Sequence, residues 1–265
     1  MSRLQYKLNR KSMYIWMLVL GLMIVGFMAF FPTMADENTQ QLMEGMSDSV
    51  LQVLGFATFP NFSEIEQFYG YIIQYVMMAL LVYAITLGLN TFLKEEKEGT
   101  IEFLYAQPIT RRQLILSKLW GNIRVLLNIL AIVIGLSLLT IFIFVPENIE
   151  FIDVLMNSIP VFAMMIAVTF MFLLLGTGLS LLLKSEVSTT GVGMFVVFGP
   201  YVLGMMAQMV DALKSFEFIS ILHTTMPSRI YDGSYDILSY VLWGAVSTVI
   251  FAYGIRYFEK RNIEV

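Results

Sequence analysis

The sequence has no cysteine and one histidine, and only 14% of its 265 residues are charged. Lack of cysteine removes disulfides, thiolate nucleophiles and cysteine metal sites, and one imidazole leaves little for acid–base or ligand chemistry. That residue, His223, has no acidic neighbour in sequence nearer than Glu217 and reads as an ordinary loop histidine. The scarcity of charge excludes a soluble globule, which needs roughly a quarter of its residues charged. Hydrolytic and nucleotide-binding signatures are missing as well: there is no His-Glu-x-x-His, no Gly-x-Ser-x-Gly and no Gly-x-x-x-x-Gly-Lys-Ser/Thr. No enzymatic activity, cofactor, metal site or nucleic-acid partner is expected on this chain, and energy for uphill work would have to come from another subunit.

What the chain does have is apolar residues, 58% of the total, with a mean hydropathy of +0.75. They fall in six blocks: residues 13–31, 68–90, 120–145, 154–183, 187–210 and 238–258. About 20 helical residues cross the roughly 30 Å hydrocarbon core. Uninterrupted runs such as Val125 to Val145 lack the alternation of barrel strands, so each block is expected to be a helix. The 19 residues of the first block exceed the roughly 7–15 of a signal-peptide core, which favours a span over a cleaved leader. The expected fold is an all-α integral membrane protein, one domain over 1–265, with six transmembrane helices and a basic amphipathic lead-in at 1–12.

Charge placement orients it. With both termini cytoplasmic, 14 of the 16 Lys and Arg residues lie inside and 13 of the 20 acids outside, giving +7 within and −11 without. Gln74, Asn90, Asn128 and Gln208 are the polar exceptions within or at the edge of spans. Each is either a helix–helix hydrogen bond or a pathway contact. Missing midplane charge disfavours an ion-driven carrier. Two outer segments have apolar content of their own: 49–56 suits a short interfacial helix, and 211–237 suits a re-entrant or interfacial hairpin or a loop packed on the rim.

The cytoplasmic segment 91–119 differs from the rest. It is dense in charge, from Lys94-Glu95-Glu96-Lys97-Glu98 onward, yet interleaved with apolar residues. Ile101, Leu104 and Tyr105 have i, i+3, i+4 spacing, Gly99 suits a helix end, Thr100 a cap and Pro108 a stop. A second helix is expected from about Thr110 into the third span, with Arg111, Arg112 and Lys118 at the lipid headgroups. A short transverse helix between two spans is a means of passing force to or from a soluble partner; the alternative is a solvated loop that only fixes topology.

The string Gly99-Thr100-Ile101-Glu102, then Leu104, Pro108-Ile109-Thr110-Arg111, Leu116 and Lys118 resembles the signature loop of the type-two ABC transporter permeases. The resemblance implies a membrane subunit of an ATP-driven exporter in the plasma membrane, expected to be a bacterial or archaeal cytoplasmic membrane. It implies pairing with a second permease copy, identical or diverged, and with ABC-type ATPase subunits that carry ATP and magnesium. The ATPase contact would be a coupling helix drawing on Glu95, Glu96, Glu98, Gly99, Thr100, Glu102, Phe103, Leu104, Pro108 and Arg111. Nineteen methionines and 21 phenylalanines offer adaptable apolar surface, which suits a hydrophobic or amphipathic cargo such as a peptide, lipid or drug. The alternative reading is a non-transporting anchor or sensor that recruits an ABC ATPase.

Overall fold

The structure, a computed structural model, describes residues 1–36, 39, 41, 62–99, 109–147, 149–184, 186–209, 218–224, 227–231 and 237–260. Ten helices are described: α1 (Ser2–Met28), α2 (Phe31–Met34), α3 (Ile65–Leu89), α4 (Leu93–Lys97), α5 (Arg111–Phe144), α6 (Phe151–Leu182), α7 (Thr189–Met209), α8 (Ile221–Thr224), α9 (Pro227–Tyr231) and α10 (Ile237–Lys260). Among the described residues there is no strand. Six helices, α1, α3, α5, α6, α7 and α10, are long and apolar enough to cross a bilayer. The interfacial helix expected at 49–56 lies outside the described residues.

The lead-in and the first span form one helix. No proline or glycine interrupts Ser2 to Leu20, and α1 runs straight from the basic residues into the apolar ones. The third span likewise begins at Arg111, capped by Thr110: its hydroxyl accepts from the Gln113 amide while the Gln113 side chain accepts from the Thr110 amide, the reciprocal capping box.

Helix α3 is the hub. Nearly all of its sequence is apolar, and it is buried around most of its circumference, as expected of a helix hydrophobic on every face. It packs mainly on α6, which packs in turn on α10, while α1 lies along α5. These crossings are close because glycines stand at them. A Cβ on Gly176 would come within 2.3 Å of the Ile85 carbonyl oxygen, and one on Gly88 within 2.6 Å of the Leu173 carbonyl oxygen. On the other side of α6, a Cβ on Gly254 would meet the Gly178 carbonyl oxygen at 2.8 Å. Without a hydrophobic driving force between helices in lipid, such close packing is the main source of association. Ala84 and Gly88, spaced four apart as small residues at helix contacts often are, are thus used inside the subunit.

At the end remote from the termini, the described part of 211–237 is packed on the bundle. Ile221, Leu222 and Ile230 are buried. Trp243 Nε1 donates to the Ile219 carbonyl at 2.9 Å, and Ser239 Oγ to that of Phe218 at 2.9 Å. The Tyr231 and Ser158 hydroxyls meet at 3.1 Å. Burial raises the Tyr231 phenol above its usual range, the bond to Ser158 opposing the shift only in part, so it stays protonated. Ser158 and Trp243 lie in the second turn of α6 and α10, so the short helices sit level with the bundle's outermost turns.

Candidate functional site

The ends of four spanning helices and the N-terminus converge where the segment between the second and third spans leaves the bundle. Phe92, Leu114, Ile115, Leu181 and Phe258 form a small buried cluster separate from the main core, with Met1, Phe251 and Ile255 against it. The Phe92 and Phe258 rings lie 5.1 Å apart. This cluster joins the exits of α3 and α6, the root of α5 and the last turn of α10.

Beside it runs a polar network centred on Asn122, which is fully buried. Its Oδ1 accepts from Gln5 Nε2 at 3.1 Å and from Asn9 Nδ2 at 3.0 Å. Its Nδ2 donates to Thr91 Oγ1 at 2.8 Å. Thr91 Oγ1 itself donates to the Leu87 carbonyl at 3.2 Å. One amide thereby ties the N-terminal helix to the exit of α3. Next to it, Gly121 allows the approach: a Cβ there would fall 2.7 Å from Gln5 Cβ and 2.8 Å from the Ser2 carbonyl oxygen.

Lys118 corrects the expectation that it sits among headgroups. It is buried; its Nζ donates to the Thr91 carbonyl at 2.9 Å, pairs with the Glu95 carboxylate and lies 4.5 Å from the centre of the Phe92 ring. Apolar surroundings make an unpaired charge costly, so Lys118 holds α4 against α5. Arg111 is also turned inward: Nη1 donates to the carbonyls of Phe258 at 2.8 Å and Glu259 at 3.2 Å.

Of the residues expected to meet the ATPase, Glu95, Glu96, Glu98, Gly99 and Arg111 are described; Thr100, Glu102, Phe103, Leu104 and Pro108 lie outside the described residues. Glu95 is committed to Lys118, and Glu98 stands 3.9 Å from Lys94 on an exposed face. Gly99 has φ +66° and donates its N–H to the Glu96 carbonyl at 3.2 Å, the left-handed close expected after a helix. The residues on either side of 100–108 are thus held in place, Gly99 by its bond to Glu96 and Thr110 by its capping box.

The four polar span residues are not gathered into one path. Gln74, nearly buried in α3, faces Tyr201 of α7, with the bonded pair Tyr71 and Tyr75 (3.0 Å between hydroxyls) on the same helix. Asn90 caps the far end of α3. Asn128 bonds back to the Arg124 carbonyl at 2.7 Å on the outer side of α5. Gln208 belongs to the last turn of α7. Sequence reasoning passed over Gln5, Asn9, Thr91 and Asn122; the available signal was the i, i+4 spacing of two amides in an otherwise basic lead-in, which places them on one helix face.

A family model described as ABC-2 family transporter protein matches residues 6–262, nearly the whole chain. The chain belongs to that family, the membrane-spanning permease component of ABC transporters, and membership implies an ABC ATPase as partner. Comparison with curated proteins found no match.

Proposed function

We propose that this permease exports a hydrophobic or amphipathic molecule, pairing with a second permease and receiving force from its ATPases through the segment 100–108. Both termini are cytoplasmic in this reading, which the charge distribution supports. The observation that carries it is the anchoring at both ends of that segment. Glu95 and Lys118 fix its start to the root of α5, and Arg111 fixes its return to the end of α10. A displacement of 100–108 would be passed to α3, α5 and α10 together rather than absorbed locally, giving rigid-body motion of the bundle.

The cargo path lies between subunits along α3 and α7, where Tyr71, Gln74, Tyr75 and Tyr201 supply polar groups in an apolar surface. This mixture suits an amphipathic molecule better than an ion. Export by the chain reconstituted with its ATPase is measured as accumulation of candidate peptides, lipids or drugs in inside-out vesicles. Charge reversal at Glu98 and Glu102 is expected to weaken ATPase co-purification and abolish accumulation. Unchanged co-purification and transport would reject the coupling role, and ATPase recruitment without any accumulation would favour an anchor.

A further inference from the structure

At the level of the Asn122 network, but on its lipid-facing side, α1 and α5 enclose a groove of about 340 Å³ lined by Arg3, Tyr6, Lys7, Arg10, Arg124 and Asn128. The first four recur at i, i+3, i+4 and i+7 and so form one stripe of α1. Gln5 on Asn122 and Gly21 on Leu136 set α1 and α5 side by side in parallel, bringing Lys7 level with Arg124.

Four cations thus converge on one concavity. None is in an ion pair among the described residues, and neither α1 nor α5 contains an aspartate or glutamate. Glu95, the acid of the adjoining network, is taken by Lys118. Arg10 rests on Tyr14, its guanidinium carbon 5.6 Å from the ring centre.

The depth of the groove follows from where charge stops. Beyond Lys11 the next ionisable acid or base in sequence is Asp36, and beyond Arg124 it is Glu147. Each uncharged run is just long enough for the roughly 20 residues that cross the hydrocarbon. Arg10 and Arg124 therefore mark the headgroup boundary, and the stripes above them are apolar and uncovered: Tyr14 and Leu18 on α1, Leu127 and Ala131 on α5. At Gly135, one turn higher, a Cβ would meet nothing within 4 Å, so that surface is open as well.

We propose that this groove binds one anionic phospholipid, its phosphate among Arg3, Lys7, Arg10 and Arg124 and its acyl chain along the open surface over Ala131 and Gly135. Generic positive-inside residues need not converge; these four share a cavity and have no counterion among the described residues, and a phosphodiester brings a negative charge to them. The orientation proposed above makes the lipid one of the cytoplasmic leaflet. The binding itself depends on neither transport nor the ATPase.

The test uses the purified, delipidated permease in neutral detergent, titrated with phosphatidylglycerol, phosphatidylcholine or glycerol phosphate and followed by native mass spectrometry and thermal unfolding. Phosphatidylglycerol is expected to bind and raise the unfolding midpoint, and the other two are not. Arg10→Gln with Arg124→Gln should weaken it about 30-fold, and either single variant about fivefold, should the double variant not fold. Lys11→Gln with Lys184→Gln removes equal charge outside the groove and should leave affinity unchanged. Equal affinity in the groove variants, equal binding of phosphatidylcholine, protection by glycerol phosphate alone, or an equal loss in the Lys11 and Lys184 control would overturn the proposal. Because no ATP or cargo is present, failure of the export reading leaves this result intact.

Discussion

Lys118, in the second turn of α5, pairs with Glu95 of α4 across the mouth of the loop between the second and third spans, with only 3% of the lysine side chain and 17% of the glutamate's exposed. The contact joins residues 23 apart in sequence and closes the base of a segment that leaves and re-enters the bundle.

Removing one member of this pair strands the other in a mostly buried site. Lys118→Met is expected to destabilise the permease by about 3 kcal/mol, at the low end for a buried pair because Glu95 keeps some contact with solvent. Lys118→Met combined with Glu95→Leu should recover much of that loss. A double-mutant cycle on thermal unfolding in detergent checks it; strictly additive losses would mean that the pair contributes no coupling.

The Asn122 network predicts a long-range effect from a short truncation. Asn122→Ala leaves Gln5, Asn9 and Thr91 without their central partner, at about 1–3 kcal/mol for each buried group left unsatisfied. Hydrogen exchange should rise in residues 2–9, more than 110 residues away in sequence, as α1 loosens from α5. Exchange confined to α5 would show that α1 is held by its apolar contacts alone.

Spans, the helix end at Gly99 and the helix start near Thr110 were legible because they rest on local rules. Apolar runs of span length, Thr110 three residues before Gln113, and Gly99 after a charged turn each carry their own signal. Lys118 was misplaced for a related reason: a lysine near a helix start reads as an interface residue until the partner that buries it is known. Neither Gln5 on Asn122 nor Trp243 on Ile219 follows from periodicity, since each depends on how two distant segments dock. Glycines were similarly ambiguous. Gly88 and Gly135 each follow an alanine, Ala84 and Ala131, by four residues, yet Gly88 is pressed against α6 and Gly135 faces open space.

That contrast makes a prediction from chemically identical changes. Gly176→Ala forces a methyl group toward the Ile85 carbonyl, and because the obstacle is backbone, α3 and α6 must separate. Overpacking of this kind costs about 1–3 kcal/mol. Gly135→Ala meets nothing and should change stability by less than about 0.5 kcal/mol. Unfolding midpoints of the two variants, measured side by side, should differ clearly; a match would mean that the α3–α6 crossing adjusts freely.

Arg111 provides the most direct test of whether the loop is tied to the last span. Phe258 and Glu259 lie in the final turn of α10, where carbonyl oxygens have no partner further along the helix, and the dipole there favours a cation. The guanidinium reaches both carbonyls from one nitrogen, at 2.8 and 3.2 Å. Lysine keeps the charge but presents a flexible point donor instead of a planar fork. Arg111→Lys should therefore retain most of the stability while Arg111→Gln loses about 1 kcal/mol or more, reflecting the charge-assisted bond. Hydrogen exchange at 255–260 should increase in the order wild type, lysine, glutamine. If the coupling proposal holds, ATP turnover should persist in Arg111→Gln while vesicle accumulation falls, since the partner would still move 100–108 but α10 would no longer follow. Intact transport alongside raised exchange at 255–260 would separate the two roles and leave Arg111 as a structural tie only.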